Sequence, residues 1–300
     1  PYFRTSSYWA LEENYALVAL LLSFLFLTKF LNNKNNLLKD YYFLLLTTFF
    51  SSACLYFDQK LTIIPLICFV QIIFSNKNLK LKSFSLFSYF IFSLPFVYLI
   101  SIWGGLMPPR DAFARGIGNQ VYLYHLCYAL TIIAFYLLPL LLYREKGLLF
   151  ILKKFFLDKK NYYLISIFFL YLIYLLFLHD YNNERVIGKG FIHKTAILLF
   201  KDIILQKIFI YISFFISWII ILIYLSGSLK NKLILFYFFI LSIFIFPLMQ
   251  EYFDPIIILM AFTFLNSKFL LSYRSSIFLF FYLSILLIFS NIYYYNLSNV

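Results

Sequence analysis

Long runs of apolar residues recur from one end of this chain to the other, and nothing constrains its fold more. "YALVALLLSFLFL" and "IILQKIFIYISFFISWIIILIYL" are representative. A helix that crosses a bilayer needs about 17–25 mostly apolar residues. Reading with that length gives ten segments, at about 14–30, 41–57, 61–74, 84–102, 121–143, 162–178, 203–225, 233–249, 255–265 and 277–290. Two of them, 61–74 with Pro65 inside it and 255–265 headed by Pro255, are short for a full crossing, which suits tilted, re-entrant or flank-extended helices. With 64% hydrophobic and only 12% charged residues, a soluble domain is excluded. The expected fold is all-α: a polytopic transmembrane helical bundle of about ten segments, forming one transmembrane domain over residues 1–300. Because the chain opens at Pro1 with no initiator Met, N-terminal helices and a first outer loop are expected to precede it.

The basic residues test this topology. If loops alternate sides, one set covers 29–40, 75–83, 144–160, 226–232 and 266–275, and it holds sixteen of the twenty-five Lys and Arg but only Asp40, Glu145 and Asp158 among the acids. Cytoplasmic loops attract Lys and Arg, so this set is expected to be cytoplasmic and the other to face the periplasm or a lumen. The net charge of +13 is therefore topological and does not call for nucleic acid. Cys54, Cys68 and Cys127 lie inside apolar runs with no CxxC pair, and read as small core residues.

The two sides differ in chemistry. Cytoplasmic connectors such as "LNNKNNLLKD" are short and rich in Lys and Asn. The outer side carries "PYFRTSSYWALEEN", "FDQK", "SIWGGLMPPRDAFARGIGNQ", "LHDYNNERVIGKGFIHK" and "QEYFDP", where acids, His, Trp, Gly and Pro occur together. Carboxylates at membrane helix ends are costly unless paired or wet, so Glu12, Glu13, Asp58, Glu251 and Asp254 point to a polar cavity on that side. Most also have a plainer reading: Asp254 before Pro255, and less so Glu251, suits a helix cap, and Glu12 and Glu13 suit interfacial solvation. Arg110, Asp111 and Arg115 follow Gly104 and Gly105, an arrangement that could hold a phosphate or form a surface pair. Arg185, Lys189 and Lys194 are cations on the side without topological demand for them, and could contact an anion or simply be solvated. His179 and His193, with Asp180 and Glu184, match no standard zinc spacing, so no metal is expected. No Walker A sequence and no GxGxxG fingerprint occurs, which argues against nucleotide-driven chemistry, and no cofactor is expected.

Four blocks carry a family likeness: "PYFRTSSYWALEENYALVALLLSF", "SACLYFDQKLTIIPLICF", "NNERVIGKGFIHKTAILLF" and "FPLMQEYFDPIIILMAF". In this order they resemble the dolichyl-phosphate-glucose α-1,2-glucosyltransferase family and its bacterial relatives, which are C-type membrane glycosyltransferases. Glu12 or Glu13 falls where that family has an acid before a helix, and Asp58 with Gln59 matches its polar-aromatic interruption. His193 matches the His that ends a Gly-containing loop just before a helix, and Tyr252, Phe253 and Pro255 match an aromatic pair followed by Pro. The family carries a basic residue beside that pair, whereas Gln250 and Glu251 stand there in this chain.

The resemblance implies a C-type glycosyltransferase fold and a hexosyltransferase that works without a cofactor on the non-cytoplasmic face of an integral membrane. That membrane would be the cytoplasmic one in a bacterium or the endoplasmic reticulum in a eukaryote. Its partners would be a polyprenyl-phosphate-linked sugar donor, a lipid-linked or envelope glycan acceptor, and membrane lipid. Glu12, Glu13, Glu251 and Asp254 are the carboxylate candidates for the catalytic base. Arg110, Asp111, Arg185, Lys189, His193 and Tyr252 are the candidates for binding substrate or its phosphate. A transporter, flippase or polymerase of lipid-linked saccharides is the alternative, and it would place ionisable groups near mid-membrane.

Overall fold

A computed structural model describes residues 12–33, 36–105, 121–143, 148–178, 189–225, 229–244, 248, 250, 253–265 and 272–298. All regular structure among the described residues is helical. The α-helices in chain order are α1 (Glu12–Asn32), α2 (Leu37–Phe57), α3 (Ile63–Ile73), α4 (Leu79–Trp103), α5 (Leu123–Leu142), α6 (Leu148–Leu157), α7 (Lys159–Leu178), α8 (Gly190–Leu199), α9 (Ile203–Leu225), α10 (Leu229–Phe244), α11 (Asp254–Phe262) and α12 (Tyr273–Ser298). Five stretches are long and apolar enough to cross a membrane: Asn14–Asn32, Leu79–Trp103, Leu123–Leu142, Lys159–Phe177 and Ile203–Tyr224. α3 and α8 are shorter apolar helices. The chain divides into two compact units, Pro1–Gly116 and Ile117–Val300.

The first unit is built on the α1–α2 hairpin, closed at one end by charge and along its length by small residues. At the turn, the side chain of Asn36 accepts from the Lys39 N–H and so caps α2. The Lys77 ammonium donates to both carboxylate oxygens of Asp40 at 3.0 Å, and Asn33 Nδ2 donates to the same carboxylate at 2.9 Å. Asp40 is buried, so this pair matters more than a surface ion pair would. Thr47, Thr48 and Ser51 are also buried, and their hydroxyls bond carbonyls three or four residues back, which leaves small, satisfied contact surfaces for neighbouring helices.

Ring and hydroxyl contacts fix the directions within this unit. Tyr41 meets Phe84, the Ser51 and Tyr89 hydroxyls are bonded at 2.9 Å, and Tyr56 meets Phe96, so α2 and α4 run parallel. Tyr15 meets Phe57 at 5.7 Å, so α1 begins where α2 ends. α3 connects that end, at Asp58, with the opposite end, at Lys77. Pro65 is the third residue of α3, a first-turn position where the missing N–H costs no intrahelical bond.

In the second unit α5 is the axle. Of its membrane-length stretch, 78% is buried, and α8, α9, α10, α11 and α12 all pack on it. α9 runs with it, because Phe214 lies against Tyr128 and the Tyr224 hydroxyl donates to the Leu137 carbonyl. α7 runs against it, with the Tyr171 hydroxyl on Leu123 O and Trp218 Nε1 of α9 on Leu164 O. α10 and α12 also oppose it: the Tyr122 N–H reaches Ile243 O, and Tyr282 stacks on Phe135 while Phe278 meets Tyr143.

Two helices fall where the sequence suggested loops. α6 occupies most of the connector read as 144–160, and α8 occupies the end of the polar outer segment. Each is ten residues long, about 15 Å, and a span-length criterion passes over helices of that size.

Candidate functional site

The described residues among those proposed from sequence fall into two places, one in each unit. In the first unit, Glu12 and Glu13 are the first two residues of α1, at the end where α2 finishes. Asp58 follows α2 directly; its N–H bonds Cys54 O, and its carboxylate accepts from the Lys60 backbone N–H at 3.0 Å. The Lys60 ammonium lies 3.3 Å from the second carboxylate oxygen. Asp58 is buried and ion-paired with Lys60. α4 ends at this same end of the unit with Trp103, and Gly104 takes the left-handed conformation at φ 67° that lets its N–H close on Ile100 O.

In the second unit the polar groups lie inside the bundle. The side chains of His125 and His193 are both buried. His125 stacks on Tyr122 at 4.9 Å, and His193 meets the buried Tyr128 edge-on at 6.1 Å. The family likeness puts His193 just ahead of a helix, whereas here it is the fourth residue of α8. Lys189 precedes that helix with φ 62°, which is uncommon for a residue with a Cβ, and Gly190 follows at φ 69°. Gly190 presses on the middle of α5: a Cβ there would sit 2.9 Å from Ile132 Cδ1. Phe191 meets Phe135 at 4.5 Å. The first turn of α8 is therefore level with the third turn of α5, well inside its length.

The "QEYFDP" stretch shows the same feature. Gln250 Nε2 donates to the Tyr136 hydroxyl at 2.9 Å, and Tyr136 is only 2% exposed. Ile243, seven residues earlier, bonds Tyr122 at the start of α5. Tyr122 and Tyr136 are about 21 Å apart along the helix axis. Gln250 is thus placed against the inner turns of α5, not at its rim, where loop alternation had put this stretch. Phe253 is buried against Phe238 and caps α11, so Asp254 is the first helical residue with Pro255 behind it, a first-turn position that favours a carboxylate through the helix dipole. α8 and α11 thus both begin beside interior turns of α5.

Arg110, Asp111, Arg185, Glu251 and Tyr252 lie outside the described residues. Among the described ones, Lys189 immediately precedes α8 and His193 is its fourth residue, while Glu12 and Glu13 begin α1 in the other unit. Sequence reasoning passed over Tyr136, Tyr128 and His125, which sit in an otherwise apolar helix. Their spacing was a signal in principle, since 125, 128 and 136 share a helical face. No protein-family model matches the chain, and neither the curated proteins nor the solved structures contain a match.

Proposed function

We propose that the chain is a membrane-embedded hexosyltransferase that moves a sugar from a polyprenyl-phosphate donor to a lipid-linked or envelope glycan acceptor on the non-cytoplasmic face. The observation that carries this reading is the gathering, at one end of the first unit, of the α1 start bearing Glu12 and Glu13 with the ion-paired Asp58. Glu12 and Glu13 are the base candidates at that end. In this mechanism an acceptor hydroxyl attacks the anomeric carbon with inversion. One carboxylate takes its proton, the bond to the donor phosphate breaks, and that phosphate leaves with the electron pair. Arg110, in the sequence of the same unit, is the cation assigned to the leaving phosphate, supported by its positive charge in a segment that topology does not require to be basic. In the second unit the sequence offers Glu251 and Asp254 as carboxylates and Arg185 and Lys189 as phosphate-binding cations, an alternative set for the same chemistry.

The test is single replacement of Glu12, Glu13, Glu251 and Asp254 by Ala in the full-length protein, with sugar transfer from a polyprenyl-phosphate donor as the readout. Loss of about 10²-fold or more at one of the four supports the assignment. Full activity in all four rejects it.

One observation favours a second reading, a flippase or transporter of lipid-linked saccharides. α8 and α11 are short helices that begin beside interior turns of α5, next to buried His193 and the Gln250–Tyr136 bond. Broken helices of this kind line substrate paths in transporters.

A further inference from the structure

α4 carries Pro95 within it. Proline has no N–H to give Ile91, and its ring crowds that carbonyl. A side chain from α2 reaches the next rung of the ladder. The Tyr56 hydroxyl donates to the Phe92 carbonyl and accepts from the Phe96 N–H at 3.1 Å, so both groups of that rung bond the tyrosine. The Tyr56 ring lies edge-on to Phe96. Sharp kinks arise at prolines and where a side chain inserts into the ladder, and both causes coincide here. In hydrocarbon an open carbonyl and N–H cost several kcal/mol, and Tyr56 is the group that makes the opening tolerable.

The two halves of α4 are anchored differently. Its buried residues, Leu81, Ser85 and Ser88, all precede Pro95. Beyond Pro95, Val97, Tyr98 and Ile102 are exposed.

We propose that α4 is a hinge held open by Tyr56, and that its outer half, residues 96–103, swings relative to the α1–α2 hairpin to admit a lipid-linked head group to the end of the unit that bears Glu12 and Glu13. The gating role rests on the transferase reading; the hinge itself does not. With Tyr56 withdrawn, the Phe96 N–H bonds the Phe92 carbonyl alone, and α4 keeps only the bend that Pro95 imposes. Seven residues beyond Phe96 are about 10 Å of axis, and a change of about 20° moves Trp103 by about 4 Å.

The experiment uses the full chain in lipid nanodiscs, with spin labels on cysteines placed at Ile102 and Val18, and in a second sample at Phe87 and Val18. These positions are exposed, and the native cysteines are buried. Tyr56→Phe is expected to shift the 102–18 distance by about 3 Å while the 87–18 distance stays within about 1 Å. An unchanged 102–18 distance, or equal shifts in both pairs, overturns the hinge. If Tyr56→Phe does not fold, Pro95→Ala gives the same reading, because it restores the missing N–H; an unmoved outer half there also overturns it. Sugar transfer by Tyr56→Phe is expected to change several-fold. A shifted helix with unchanged transfer overturns the gating role, whereas an absence of transfer by the wild-type protein removes the transferase reading and leaves the hinge standing on its distances.

Discussion

The bond between Gln250 and Tyr136 decides whether Gln250 lies inside the bundle, and removing it has a calculable cost. Tyr136→Phe deletes the hydroxyl that accepts from Gln250 Nε2 at 2.9 Å and leaves an amide N–H facing a 2% exposed ring. A buried donor stripped of its partner costs about 1–3 kcal/mol. Gln250 is half-buried rather than enclosed, so the lower part of that range applies, about 1–1.5 kcal/mol. Gln250→Leu removes the donor and the amide together, and Tyr136→Phe on that background should cost little more. The expected coupling in a double-mutant cycle is about 0.5–1.5 kcal/mol. Reversible unfolding in lipid–detergent bicelles measures it directly. A parallel reading comes from Gln250→Cys, which should react with a membrane-impermeant maleimide far more slowly in the folded protein than after denaturation. Coupling within about 0.3 kcal/mol of zero, together with fast labelling, would refute the interior placement.

Two further outcomes follow from the packing. Lys77→Met leaves the buried Asp40 carboxylate without its cation and should destabilise the first unit by about 3–5 kcal/mol, while Asp40→Leu combined with Lys77→Met should recover most of that loss; urea-induced unfolding of the purified protein reads both. Gly190→Ala should cost about 1–2 kcal/mol from its left-handed backbone, plus a contact penalty against Ile132 Cδ1 that Ile132→Val relieves, as thermal unfolding of the single and double variants will show.

Much of the helical order was legible in the sequence because apolar runs of spanning length have one solution in lipid. The runs at 121–143 and 203–225 correspond to α5 and α9 within two residues at each end. Pro255 was read at the head of a helix and sits in the first turn of α11, whereas Pro65, read as lying inside an apolar run, sits in the first turn of α3. What was not legible were the half-length helices. "GFIHKTAILL" carries a Gly, a His, a Lys and a Thr in ten residues, so hydropathy averaged over a span dilutes it. Nor could loop alternation reveal that Gln250 lies against Tyr136, because charge counting assigns a side to a segment and says nothing of its depth. The Tyr56 insertion joins residues about forty positions apart and leaves no local pattern, although Pro95 marks the place. For the candidate site, Glu12, Glu13 and Asp58 could be gathered from topology alone. The pairing of Asp58 with Lys60 needed the turn geometry at residues 58–61.

The most direct measurement reconstitutes the full-length protein in liposomes with a polyprenyl-phosphate hexose labelled in the sugar, together with a lipid-linked glycan acceptor, and follows where the label goes. Hexosyl transfer predicts label covalently attached to the acceptor, with free polyprenyl phosphate released in equal amount. Label that crosses the bilayer still attached to its original lipid, with no glycosylated acceptor formed, contradicts the transferase and establishes the flippase.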